Sequence, residues 1–124
     1  MIQDIIAILR NDVELSNLLG ATATDSKISP NYAVKDGVKY EFNILTNDKI
    51  KVQANLVLTI VNNDLLVAYA IKSRLDEILL TLGDESLTSD ILQVSQTGGG
   101  SYYDSDLDIQ KLNVIYTLVY KYRR

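Results

Sequence analysis

The stretch IKVQANLVLTIVNNDLLVAYAIKSRLDEILLTL, Ile50 to Leu82, changes period in its middle, and that change decides the fold. Ile50, Val52, Ala54, Leu56, Leu58 and Ile60 fall on alternate positions, so a strand places all six on one face. Beyond them Leu65, Ala68, Ile71, Leu75, Ile78, Leu79 and Leu82 recur every three or four residues, the stripe of an amphipathic helix. Asn62-Asn63-Asp64 lies at the switch and supplies side-chain acceptors for the helix's first free N–H groups. Gly83 follows the last apolar position and suits a helix stop.

On the N-terminal side, Val38, Tyr40, Phe42 and Ile44 share one strand face, with Lys39, Glu41 and Asn43 opposite. Thr46-Asn47-Asp48-Lys49 is a short polar link, so Val38–Leu45 and the Ile50 strand form an antiparallel hairpin. Further upstream, Ile2, Ile5, Ile6 and Leu9 make a helical stripe, and Val13, Leu15, Leu18 and Leu19 a second. Asn11 with Glu14 fits a capping box between them, and Gly20 ends the segment, giving one kinked helix or two consecutive ones. Pro30 holds Ser29 extended and cannot sit inside a sheet, so Lys27–Pro30 is an edge segment leading into a loop.

On the C-terminal side, Ile91–Gln96 reads as a short strand. Thr97–Ser101, with Gly98-Gly99-Gly100, reads as irregular, the tip of a hairpin. Alternation returns near Leu107 or Ile109 and continues to Tyr122, with Leu112, Val114, Tyr116, Leu118, Tyr120 and Tyr122 on one face. The element order is α-β-β-α-β-β. It predicts an α+β fold: a four-stranded, mainly antiparallel sheet with two helices packed on one face. Val57, Thr59, Val61, Ile115 and Val119 fall on the other face, which is too apolar to stand fully in water. A loop of the same chain or a neighbouring subunit covers it.

At 124 residues the chain has the length of one domain, and 47% apolar residues are enough for a core. No apolar run reaches the roughly 20 residues of a membrane span. Met1–Leu9 is interrupted by Asp4 and does not read as a signal peptide. There is no Cys and no His, which removes disulfides, thiolate metal sites and the commonest general base. The net charge of −4 argues against wrapping nucleic acid. Charge is also segregated. From Asp76 to Gln110 there are acids and no Lys or Arg; from Lys111 to Arg124 there are bases and no acid. Such a surface either is simply solvated or orients a partner or neighbouring subunit.

No motif carries catalysis. Asp104, Asp106 and Asp108 alternate beside the glycines but lack the central Gly and distant Glu of a calcium loop. Gly98–Gly100 lacks the Gly-Lys-Ser/Thr of a phosphate cradle. Asp76-Glu77 and Asp84-Glu85 are carboxylate pairs with no nucleophile or base beside them. An enzyme is therefore not expected, nor a cofactor or metal. Tyr102 and Tyr103 on a loop suit either local packing or a partner.

Several passages together carry a resemblance. They are Asn11-Asp-Val-Glu-Leu-Ser-Asn-Leu-Leu-Gly20, then Lys27-Ile-Ser-Pro30, then Val38-Lys-Tyr-Glu-Phe42, then the strand from Leu56 running into the helix, and a closing tyrosine-rich strand. In that order and spacing the chain resembles the tail completion proteins of long-tailed bacteriophages and prophages, also called tail terminators or tail-to-head joining proteins. The resemblance implies a structural protein of the virion, made in the host cytoplasm. It would cap the tail tube, set tail length and form the surface on which the head connector docks. It implies a ring, usually sixfold, whose partners are further copies of itself, the tail tube protein and the head connector or completion protein, with no membrane. Within such a ring, Val57, Thr59, Val61, Tyr102, Tyr103, Lys121, Arg123 and Arg124 are the candidate interface residues. Asp84, Glu85, Asp104, Asp106 and Asp108 are candidates for a lumen wall that repels DNA passing through without specific binding. Two other readings stand beside this one: a head-completion or connector protein, and a small ligand-binding regulatory module.

Overall fold

The computed structural model describes residues 2–22, 26–30, 37–81, 91–104 and 109–121; the side chains of Ile2, Thr81, Ile91, Leu92, Tyr102 and Asp104 fall outside that description. In chain order the elements are α1 (Ile2–Asn11), α2 (Val13–Leu19), β1 (Ile28–Ser29), β2 (Gly37–Asn47), β3 (Lys51–Asn62), α3 (Leu65–Thr81), β4 (Ile91–Asp104) and β5 (Ile109–Lys121). The strands form one sheet in the order β1-β2-β3-β5-β4. β1 runs parallel to β2, and the remaining pairings are antiparallel.

The four-stranded, two-helix arrangement expected from the sequence is therefore corrected to a five-stranded mixed sheet with three helices. The first reason is β1. Two residues are too short to show alternation, and the pairing is fixed from a distance, with the Val38 N–H donating to the Lys27 carbonyl at 2.8 Å. The second is Asp12, which separates α1 from α2. Its backbone is extended, and its carboxylate accepts the Leu15 N–H at 2.8 Å. The cap is thus Asp12, not Asn11. A separate correction concerns the glycine run, which lengthens β4 rather than forming a hairpin tip: Gly98, Gly99 and Gly100 pair with Ile115, Val114 and Asn113. Glycine carries no side chain, so it erases the alternation by which a strand is read while leaving its backbone able to pair.

The long elements follow the sequence pattern. Val52, Ala54, Leu56, Leu58 and Ile60 of β3 are buried, as are Leu112, Val114, Tyr116, Leu118 and Tyr120 of β5. Ala68, Ile71, Leu75, Ile78 and Leu79 of α3 and Ile5, Ile6, Leu9, Leu15 and Leu19 of α1 and α2 complete one cluster. α3 starts where expected. Asn62 Oδ1 accepts the Asp64 N–H at 2.8 Å, and Asp64 Oδ1 accepts the Leu66 N–H at 2.9 Å. Gly83 lies outside the described residues. α1 is tied to the sheet edge by Arg10, whose Nη2 donates to the Ile28 carbonyl at 2.8 Å.

The β2–β3 hairpin outruns the helices. Every residue from Asn43 to Lys51 is exposed, Ile50 among them, so the alternating face of β3 becomes buried only from Val52. Its turn is closed locally. Asp48 Oδ1 accepts the N–H groups of Ile50 (2.9 Å) and Lys51 (2.7 Å), and Asn47 Oδ1 accepts that of Lys49 (2.9 Å).

Candidate interaction surfaces

The face of the sheet opposite the helices carries three of the predicted interface residues. Val57 is half-buried, whereas Thr59 and Val61 are buried within the chain. The face is organised in rows. Asn55 stands opposite Thr117, Val57 opposite Ile115, and Thr59 opposite Asn113. The outer two rows are hydrogen-bonded across the strands. Thr59 Oγ1 donates to Asn113 Oδ1 at 2.8 Å, and Thr117 Oγ1 donates to Asn55 Oδ1 at 3.1 Å and lies 3.0 Å from Thr97 Oγ1. The apolar pair Val57–Ile115 is thus held between two polar rows that are hydrogen-bonded across the strands.

Of the remaining predicted interface residues, Tyr103 is half-exposed on β4 and Lys121 is exposed at the end of β5. Tyr102 lies on β4 opposite Lys111. Asp104 is the last residue of β4, opposite Ile109. Asp84, Glu85, Asp106, Asp108, Arg123 and Arg124 lie outside the described residues.

The register orders the charges along the strands. Asp104 sits at the Ile109 end of β5, and Lys121 at the other, opposite Lys51. Thirteen residues of β5 span roughly 40 Å, so acidic Asp104 and the basic pair mark opposite ends of the sheet.

The acids at the start of the acidic stretch have structural work instead. Asp76 accepts Lys72 Nζ at 2.8 Å and the hydroxyl of Tyr116. Glu77 accepts Arg74 Nη1 at 2.9 Å. The same arginine grips Asp12 with two parallel bonds, Nε to Oδ2 at 2.9 Å and Nη2 to Oδ1 at 2.6 Å, and reaches Glu14 at 3.1 Å. Asp12 therefore caps α2 and clasps α3 at once, a link across 62 residues that no periodicity signals.

The hydrogen bonds from Arg74 hold the Asp12 carboxyl below its ordinary range against the opposing effect of burial, with the Leu15 N–H adding to them. A carboxyl with a lowered folded-state pKa contributes stability that is complete above its unfolded value of about 4 and is lost as the pH falls through the folded value. Asp12→Ala is expected to cost about 1 kcal/mol through the cap alone. The variant should also lose stability less steeply than the parent below about pH 4. Urea titrations at neutral and acid pH check both effects.

Besides the single residues Val13, Leu80 and Tyr103, exposed apolar residues of the described chain gather in two groups. Ile44 (61%), Leu45 (51%) and Ile50 (78%) crowd the hairpin end, and Leu65 (38%), Leu66 (81%) and Tyr69 (45%) face outward on the first turns of α3. Single exposed apolar residues are ordinary, but groups of three suggest contact surfaces. A partly open groove of about 470 Å³ lies between α1 and β2, lined by Gln3, Ile6, Ala7, Arg10, Asn11 and Tyr40. Among the described residues no group of three or more carboxylates could hold a metal ion, and no helix is long and apolar enough to cross a membrane.

The fold has a counterpart among solved structures. The fold is similar to that of a chain in the structure titled "Virion of native gene transfer agent (GTA) particle", with a TM-score of 0.70. The likeness covers 94% of this chain and 91% of that one, at 12% sequence identity. No family model matches the sequence, and no curated protein matches it.

Proposed function

We infer that the chain is a structural component of a phage-like virion, and within it the tail terminator that joins tail to head. The observation that carries the virion reading is the fold shared with a chain of the gene transfer agent virion over almost the whole length of both. The order of motifs from Asn11 to the tyrosine-rich last strand supports the tail assignment. The role is assembly rather than catalysis, with neither cofactor nor metal. The chain works as a ring, its partners being copies of itself, the tail tube protein and the head connector. Val57, Tyr102, Tyr103, Lys121, Arg123 and Arg124 are proposed for contacts with these partners, whereas Thr59 and Val61 are already buried within the chain. Asp84, Glu85, Asp104, Asp106 and Asp108 are proposed for the lumen wall, where carboxylates keep passing DNA from adhering. The separation of Asp104 from Lys51 and Lys121 along the strands suits a subunit whose two ends meet different partners.

Deleting the gene from a phage or prophage that carries it tests the proposal. Electron microscopy of the lysate is expected to show DNA-filled heads separate from headless tails of irregular length. Tails of normal length beside heads that leak DNA would move the assignment to a head-completion protein. Intact infectious particles would overturn the virion reading.

A further inference from the structure

On both sides the sheet ends in an edge along which no further described strand runs. β4 is the last strand on one side, and no described strand follows it. On the other side β1 covers only Val38 and Lys39 of β2, so β2 has no described strand partner on that edge from Tyr40 to Asn47. Exposed edges invite pairing with another chain, and proteins usually blunt them with charge, proline or a bulge. Here β4 carries no charge and no proline from Ile91 to Tyr103, and β2 carries one charge, Glu41, from Tyr40 to Asn47. Both strands are bulged, β2 between Ile44 and Thr46, and β4 between Ile91 and Gln93 and between Gln96 and Gly98. Regular runs remain on each side, Tyr40–Ile44 and Gly98–Ser101.

Strand direction selects the occupant. β3 is antiparallel to both β2 and β5, and β4 is antiparallel to β5, so β4 runs with β3 and against β2. A second copy, placed beside the first by a rotation about an axis along the strands, brings its β2 against this β4 in the antiparallel sense, the sense in which edges pair with the straightest hydrogen bonds. The side chains also complement one another. β2 offers the exposed Ile44 and Leu45, beyond Tyr40 and Phe42, which pack on this chain's own core, while Gly98–Gly100 of β4 bears no side chains, and space is open beside Gly100. Bulky residues laid across bare edge glycines are a recurrent way of covering them. We propose that the β4 edge of one copy pairs antiparallel with the β2 edge of the next, a head-to-tail contact that joins neighbouring sheets into one. This rests on the ring reading and names the surfaces that close it.

The absence of cysteine makes the test clean. Asn43→Cys marks the β2 edge and Ser101→Cys the β4 edge, both exposed positions. Particles from a phage carrying the two variants together are treated with a short thiol-to-thiol crosslinker. Covalent dimers are expected when both variants are present and not when either is present alone. Dimers from one variant alone would mean a twofold contact and overturn the proposal, as would no dimers in particles shown by mass spectrometry to contain the chain. Particles lacking the chain would refute the virion role instead. The edges are then decided by the same crosslinking of the concentrated purified protein, where mixed dimers uphold the pairing and their absence overturns it.

Discussion

Tyr116→Ala is expected to lower the stability of this protein by about 3–5 kcal/mol, enough to leave much of the chain unfolded at physiological temperature. Tyr116 is fully buried on β5, in the middle of the sheet, opposite Leu56 on one side and Gln96 on the other. Its ring fills the space under α3, and its hydroxyl donates to Asp76 on that helix. Truncation removes the ring and leaves a cavity that two flanking strands cannot close. Tyr116→Phe separates the two contributions. It keeps the ring and deletes one hydrogen bond, while Asp76 retains Lys72 and access to water, so a cost of about 1–2 kcal/mol is expected. Burial, and then the Asp76 carboxylate beside it, push the Tyr116 hydroxyl far above tyrosine's ordinary value. A group whose folded-state pKa is raised contributes stability that is complete below its unfolded value and declines as the pH rises above it. The parent should therefore weaken above about pH 10, and Tyr116→Phe should weaken less steeply over the same range. Urea unfolding at neutral and alkaline pH measures both. An unfolding free energy for Tyr116→Ala within about 1 kcal/mol of the parent would mean that α3 does not pack on the sheet as described.

Gly99→Ala and Gly37→Ala are expected to cost about 2–4 kcal/mol each, by backbone strain plus a steric clash. Gly99 has φ +154°, and a Cβ there would lie 2.5 Å from the Asn113 carbonyl oxygen of the neighbouring strand. Gly37 has φ +142°, and its Cβ would lie 2.6 Å from the Lys27 carbonyl oxygen. That oxygen is the one that accepts the Val38 N–H, so the clash falls on the link that holds β1 to the sheet. Gly100→Ala is the control. Nothing lies within 4 Å of its Cβ, and a change of no more than about 0.5 kcal/mol is expected. Thermal unfolding of the three variants should rank Gly100→Ala near the parent and the other two well below it. Equal effects at Gly99 and Gly100 would contradict the pairing of β4 with β5.

Much of this architecture is legible in residue order. The alternation of β3 and β5, the apolar stripe of α3, the Asn62–Asp64 start and the Gly20 stop are local properties, set within a few residues, and the structure keeps them. The extended arm of the hairpin is half legible. Its turn residues announce the reversal, but Ile50 continues the apolar alternation into water, because exposure depends on where the helices stop and not on the strand's own pattern.

The sequence by itself determined which segments are strands and helices wherever side chains repeat at a fixed spacing, and which face of each long element is apolar. It also excluded chemistry that depends on cysteine or histidine. Tertiary structure alone decided the rest. Ile28–Ser29 becomes a strand because Lys27 meets Val38, and Gly98–Gly100 become one because β5 offers them a ladder. Asp12 becomes the partner of Arg74 because folding brings residues 62 positions apart together. The order β1-β2-β3-β5-β4, and with it the two edges on opposite sides, has the same origin. Periodicity records how a segment meets one surface. Hydrogen bonds and ion pairs between distant segments need only single residues at each end, and single residues have no period.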